Sequence, residues 1–298
     1  MGKFIAWLAG FLFCAAPCLA QLNNDQALVD AIRKELGSQP GTFAVAFKDA
    51  ATGHQILINE RERFHAASTM KTPVMIEVYK QAAQGRFSLT DSITIKNEFK
   101  SIVDGSSYAL NPQDDSEPTL YGLVGKKLPL YDVMYQMIIA SSNLATNLII
   151  EWVDAREVTR TIRSMGAMDM EVLRGVEDSK AFAKGLNNSV TAFDLMILFD
   201  QMARGKIINP ASCDAMINIL SDQKFNEIIP AQLPAGVVVA HKTGSIRGVQ
   251  HDSGIVILPD GRRYSLVILS KNLKDEPAAI RSMARVSRLI YEFNQGKR

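Results

Sequence analysis

The chain has 298 residues, 47% hydrophobic and 21% charged, with a formal net charge of +2. That balance suits a folded chain with a sizeable core, built as one large domain or two lobes. It offers no Lys/Arg cluster for nucleic acid, and no repeat or low-complexity tract is visible.

Residues 1–20, "MGKFIAWLAGFLFCAAPCLA", carry one cation, Lys3, then an apolar run, then Pro and small residues. This pattern predicts a secretory signal cut after Ala20, and hence a periplasmic or secreted product. The run from Phe4 to Ala16 is short for a bilayer span. Phe13 and Pro17 precede Cys14 and Cys18, where lipoprotein attachment needs a small residue. No stable membrane anchor is therefore expected after cleavage. Only Cys213 remains beyond the leader, which excludes an internal disulfide. It sits in "NPASCDAMINIL", a helical apolar pattern, and reads as a buried structural thiol.

Residues 24–37 have helical periodicity and a Gly stop. "TFAVAFKDAATGHQILINE" alternates apolar and polar residues on both sides of Ala51-Thr52-Gly53, the pattern of a β-hairpin. Helices are predicted over 68–84, 130–140, 143–153, 157–165, 191–204 and 210–221. The polar, turn-rich stretch from Asn97 to Lys127 reads as a surface excursion. Strand character returns in "GVVVAHKTG", "SGIVILP" and "RYSLVILSKN", and a helix over 275–294 closes the chain. The expected fold is α/β (α+β). Both chain ends share one antiparallel sheet flanked by helices, in a lobe of about 21–62 and 225–298. Residues 63–224 form an all-helical lobe, and a site between the lobes is the natural place for chemistry.

Three short motifs fit such a site. Ser68 and Lys71 stand three apart at a helix start, on one face, where unpaired N–H groups favour negative charge. A lysine with a lowered pKa there would deprotonate the serine. The same spacing in Ser221 to Lys224 has no obvious companions, so the pair alone also describes an ordinary capped helix. Ser141 and Asn143 lie at a break between two apolar helical runs. Lys242-Thr243-Gly244-Ser245 ends a β-branched strand and offers a cation, hydroxyls and a glycine for close backbone approach.

S-x-x-K, S-x-N and K-T-G occur in this order, at a helix start, an interhelical break and a strand end. As a set they resemble the class A serine β-lactamases, within the superfamily of serine β-lactamases and penicillin-binding proteins. The resemblance spans essentially the whole chain beyond the leader and agrees with the two-lobed layout. It implies Ser68 as the acylated nucleophile, Lys71 as its proton partner and Ser141 as proton shuttle to the lactam nitrogen. Asn143 would contact the substrate's side-chain amide, and Lys242 and Thr243 its carboxylate. The backbone N–H groups of Ser68 and Ser245 would form the oxyanion hole. Ser142 replaces the usual Asp of the middle motif, a change expected to perturb local hydrogen bonding more than the chemistry.

The resemblance also implies a loop Glu that activates water to release the acyl group. Glu177 follows Asn143 by the expected separation, in "VLRGVEDSKAFAKGLNNSV". The family writes E-x-x-L-N, and here Ala181 fills the Asn position, with Asn187 and Asn188 left to compensate. Asp178 is the rival base, and a pair with Arg174 or a nearby Lys is the structural alternative for Glu177. His251 falls where class A enzymes often place a carboxylate-binding Arg, and Arg247 lies near. A structural role for His251 is an equal alternative. The segment between Ser68 and Ser141 is longer than the family's, with the extra residues between Asn97 and Lys127, from which Tyr108 would reach the cleft rim. No metal and no cofactor are expected, and the chain is expected to act as a monomer on a β-lactam or a peptidoglycan-like peptide. Two rival functions use the same Ser68 machinery: a D-Ala-D-Ala carboxypeptidase, and a lactam sensor that acylates and stops.

Overall fold

The computed structural model describes residues 15–296. Helix α1 (Ala15–Gly37) begins nine residues before the start read from the sequence and runs through the expected cleavage point. The remainder of the expected leader lies outside the described residues.

Strands β1 (Thr42–Asp49) and β2 (Gln55–Ile58) form the expected hairpin. Its turn is fixed by Asp49 Oδ1, which accepts the N–H groups of Ala51 and Thr52. Strands β3 (Val238–Ile246), β4 (Val249–Ile257) and β5 (Arg263–Lys271) complete an antiparallel sheet ordered β2-β1-β5-β4-β3. The chain ends meet where β1 pairs β5, from Thr42 opposite Lys271 to Asp49 opposite Tyr264.

Alternation sends β1 side chains to opposite faces. Val45 and Phe47 join Leu28 and Ile32 of α1 and Val286 and Ile290 of α9 (Glu276–Asn294) in one core. Ala44 and Ala46 face a second core with Leu195 and Phe199 of α7 (Ala192–Ala203). Helix α7, which the sequence reading groups with the helical block, thus lies on the sheet.

Strand β4 starts four residues earlier than "SGIVILP" suggested. His251 and Asp252 are fully buried in it, opposite Gly244 and Thr243, so its inward positions are polar and hide the strand pattern. Arg247 and Gly248 form the two-residue turn from β3, with Gly248 at φ +73°.

The helical block contains α2 (Lys71–Ala83), α3 (Leu130–Ile139), α4 (Asn143–Val153), α5 (Ala155–Ser164), the short α6 (Ser179–Ala183) and α8 (Pro210–Ser221). The excursion between Asn97 and Lys127 is anchored by buried Phe99, Leu110 and Leu120. No helix among the described residues is long and apolar enough to cross a membrane.

Candidate active site

Ser68 lies in a 3₁₀ turn, Ala67–Met70, that leads into α2, so it precedes the α-helix proper and is not its cap. Ala67 is held at φ +45°, costly for a residue with a Cβ. Its N–H donates to His65 Nδ1 at 3.0 Å, and the Ala66 N–H donates to the Asn188 carbonyl at 2.9 Å. Burial, then the nearby Arg174, holds the His65 imidazole below its ordinary range, which keeps Nδ1 an acceptor. Gly244 of β3 packs directly over this turn. A Cβ there would come within 3.2 Å of the Ser68 nitrogen and of Ala67 Cβ. The close approach that Gly244 permits is therefore that of the serine turn.

Lys71 is fully buried, one turn beyond Ser68. Its Nζ donates to the Ser141 carbonyl at 2.6 Å, Ser141 Oγ at 3.2 Å and Asn143 Oδ1 at 3.1 Å. Burial lowers its pKa to about 7, against the opposing pull of Asp115 and Glu177. Ser141, at φ +57°, is gripped from the other side by Lys242, whose Nζ donates to Ser141 Oγ at 3.0 Å. With both lysine Nζ atoms donating to its oxygen, the Ser141 hydroxyl keeps its own hydrogen for the cleft. Lys242 is also fully buried, and its pKa is driven well down by burial and then by Lys71. Its second bond, to the Thr243 carbonyl at 3.1 Å, leaves it beneath the cleft floor; Thr243 and Ser245 are what line the cleft.

The missing motif carboxylate is supplied from elsewhere. Ser142 caps α4 by accepting the Ala145 N–H. Asp115, from the excursion, brings its Oδ2 to the same helix start and accepts the N–H groups of Asn143 and Leu144, both at 2.9 Å. The same oxygen accepts Tyr121 OH at 2.9 Å and Ser142 Oγ at 3.4 Å, while Oδ1 accepts the Glu117 N–H. Sequence reasoning missed Asp115 because only the tertiary fold brings it to the S-x-N turn. It is buried, and its charge sits at the positive end of α4.

Asn143 joins the two halves of the site: its Oδ1 accepts from Lys71 and its Nδ2 donates to Glu177 Oε1 at 2.7 Å. Glu177 is at φ +61°, exposed as a residue, with its carboxyl head turned inward to Asn143. Burial of that head raises its pKa, the Asn143 bond opposes this, and Asp115 and Asp114 add to the rise. The loop is set by Asn147, one turn after Asn143 on α4. Its Oδ1 accepts the Val176 N–H at 2.6 Å and its Nδ2 donates to the Val176 carbonyl at 3.1 Å. Gly175 is required beside it, since a Cβ there would fall 2.2 Å from Asn147 Oδ1. Asn147 was the second residue that sequence reasoning missed; its one signal was its place at i+4 from Asn143 on α4.

Several alternatives are settled by these contacts. Asp178 faces away from the cleft, accepting the Ala181 and Ile102 N–H groups and the Ser101 hydroxyl, which outweigh burial and hold its pKa low. Arg174 bonds to Leu186, Gly175 and Asn187, with no contact to Glu177, and Lys180 pairs with Asp104. Asn187 and Asn188 both serve Arg174, so neither compensates for Ala181 at Glu177. Tyr108 OH donates to the Val176 carbonyl, behind the loop and not at the cleft mouth. His251 Nε2 donates to the His65 carbonyl while Nδ1 accepts the Ser270 N–H, and burial takes its pKa to about 4. It is a neutral structural ring supporting the Ser68 segment. Arg247 is exposed in the β3–β4 turn. Ser221 bonds back to the Ile217 carbonyl within α8. Cys213 is buried, with its thiol pKa raised by that burial. Among the described residues no group of His, Cys, Asp and Glu is placed to hold a metal ion.

Ser68, Ser141, Asn143, Thr243, Ser245 and Gln250 thus line one cleft of about 380 Å³. A family model described as the beta-lactamase enzyme family matches residues 27–293. The chain belongs to that family. A Bacteroides uniformis beta-lactamase is 25% identical, over 97% of this chain and 98% of its own. Beta-lactamase L2 of Stenotrophomonas maltophilia is 28% identical, over 81% of this chain and 75% of its own. Among solved structures, a Sphaerobacter thermophilus beta-lactamase superposes with a TM-score of 0.77 at 26% identity, covering 90% of this chain and 96% of its own. PBP-A superposes equally well, TM-score 0.77 at 25% identity, covering 91% and 96%. The mixed fold with an antiparallel, helix-flanked sheet is the one these family members share.

Proposed function

We propose that this family member is a serine β-lactamase acting through an acyl-Ser68 intermediate that Glu177 helps to hydrolyse. The observation that carries the reading is the buried Lys71, with a pKa of about 7 and bonds to both Ser141 and Asn143. Near neutral pH its amine is available as a base. It takes the Ser68 proton as Oγ attacks the lactam carbonyl carbon. The backbone N–H groups of Ser68 and Ser245 receive the oxyanion. As the C–N bond breaks, the nitrogen takes the Ser141 proton, and the Lys71 ammonium replaces it. Glu177 then removes a proton from water, the hydroxyl attacks the ester, and Ser68 leaves with its proton restored.

The substrate carboxylate sits on Thr243 and Ser245. Lys242 acts from beneath, through its hydrogen bond to Ser141. Asn143 retains one lone pair and one N–H for the substrate side-chain amide, after its bonds to Lys71 and Glu177. The leader-like residues 1–20 support export to the periplasm or medium, with residues 21–298 acting as a monomeric catalytic domain.

A second reading, a penicillin-binding-type hydrolase acting on a D-Ala-D-Ala peptide, is favoured by Ala181 in place of the motif Asn and by the likeness to PBP-A. A single-residue mutant of PBP-A is known as an acyl-enzyme complex with penicillin G. Intact-mass measurement after mixing with a β-lactam separates the two. Rapid turnover with little adduct supports the lactamase. A persistent adduct on Ser68 favours the second reading or a non-turnover sensor, and neither turnover nor adduct refutes all three.

A further inference from the structure

Ser245 presents its hydroxyl to the cleft, and two residues behind it decide what that hydroxyl does. Gln250, opposite Ser245 across β3 and β4, donates from Nε2 to Ser245 Oγ at 2.9 Å. The other Nε2 hydrogen goes to Glu276 Oε2 at 2.7 Å. Glu276 Oε1 in turn accepts the Gly248 N–H at 2.7 Å, in the turn that joins the two strands. Glu276 lies in the first turn of α9, where a carboxylate is favoured by the helix N-terminus.

The carboxylate fixes the orientation of the amide. Were the Gln250 amide flipped, its oxygen would face the Glu276 oxygens, acceptor against acceptor. With Nε2 held toward both partners, Ser245 Oγ accepts. The only hydrogen on that oxygen is then directed away from Gln250, toward the cleft that Ser245, Thr243 and Gln250 share. We propose that Gln250 and Glu276 are positioning residues that commit the Ser245 hydroxyl to donate to an anionic group of the substrate, the ring carboxylate of a β-lactam. This rests on the proposed function. It gives the chain a neutral route to carboxylate recognition, where His251 is buried and uncharged and Lys242 is sealed beneath the floor.

The test is a double-mutant cycle on the full chain with a chromogenic cephalosporin carrying the ring carboxylate. Gln250→Met keeps length and removes both bonds, Ser245→Ala removes the hydroxyl, and both are combined. Gln250→Met is expected to raise KM about tenfold, the order of a lost hydrogen bond to a charged group, with kcat within about twofold. Ser245→Ala should raise KM at least as much, and adding Gln250→Met to it should change nothing further. Glu276→Gln, which frees the amide to flip, should raise KM in the Ser245 background and not in the Ser245→Ala background. Thermal midpoints read alongside identify any variant that loses its fold, and the Gln250 and Glu276 variants answer independently. Additive effects, or a Gln250→Met enzyme with unchanged KM, would overturn the inference while leaving the lactamase reading intact. A wild-type protein that neither turns over nor acylates refutes that reading, and this inference with it.

Discussion

Replacing Asp115 with Asn keeps the side chain's shape and removes its charge. Its Oδ2 gathers the N–H groups of Asn143 and Leu144 and two hydroxyls, and Oδ1 holds the Glu117 N–H. An amide leaves an NH₂ facing one of these donor sets. Hydrogen bonds to a charged group contribute roughly 1.5–3 kcal/mol each, and one or two are lost. A stability loss on the order of 3 kcal/mol follows, about 5 °C in Tm for a chain of this size. The catalytic effect has a sign of its own. Asp115 is the leading charge that raises the Lys71 pKa against burial. Without it the ammonium is less favoured, the pKa falls below about 7, and the neutral amine persists to lower pH. The acid limb of kcat/KM therefore moves to lower pH, even as a displaced Asn143 lowers the plateau about 100-fold. Adding Ser142→Asp returns a carboxylate to the start of α4 and should restore much of the plateau and move the limb back up. A pH–rate series on the two variants reads both effects. An acid limb that stays put or moves to higher pH, or a double variant no better than Asp115→Asn, would refute the assignment.

Three further outcomes are expected. Lys71→Met should remove Ser68 acylation. It should also remove one proton's share of the rise of stability with pH between about 7 and 10.5, where the unfolded chain holds a proton that folded Lys71 has released, while the share that Lys242 contributes remains; urea titrations across that window measure it. Gly244→Ala should reduce acylation at least tenfold while binding persists, because the new Cβ lies 3.2 Å from the Ser68 nitrogen; stopped-flow acylation rates check this. Asn147→Ala should slow deacylation more than acylation, since Asn147 clamps Val176 beside Glu177, and single-turnover traces would show the acyl-enzyme accumulating.

The sequence exposed the helices, the hairpin and the three motifs because each is local. Alternation marks β1 and β2, and 3.6-residue periodicity marks α3 and α4. The decoy at Ser221 differs from Ser68 only in its company, and the fold shows it bonded within α8. Polar residues that serve tertiary contacts were less legible. Asp115 lies in a turn-rich stretch that reads as surface, and its role exists only once the stretch folds back onto α4. His251 and Asp252 disguise the start of β4 by being buried and polar. The early start of α1 was hidden because the leader composition, not periodicity, decided how those residues were read. At Glu177 the motif pointed to Asn187 and Asn188 as substitutes for the missing Asn, whereas Asn143 and Asn147 do the holding from α4.

The division of labour between Ser68 and Glu177 is tested most directly by comparing the release of the acyl group in wild type and Glu177→Gln. Both proteins are mixed with a β-lactam in a single turnover, and the mass of the Ser68 peptide is followed with time. The account predicts equal capture by both, rapid release by wild type, and release slowed at least 100-fold in the variant. Equal release rates, or an adduct on any residue other than Ser68, would contradict it.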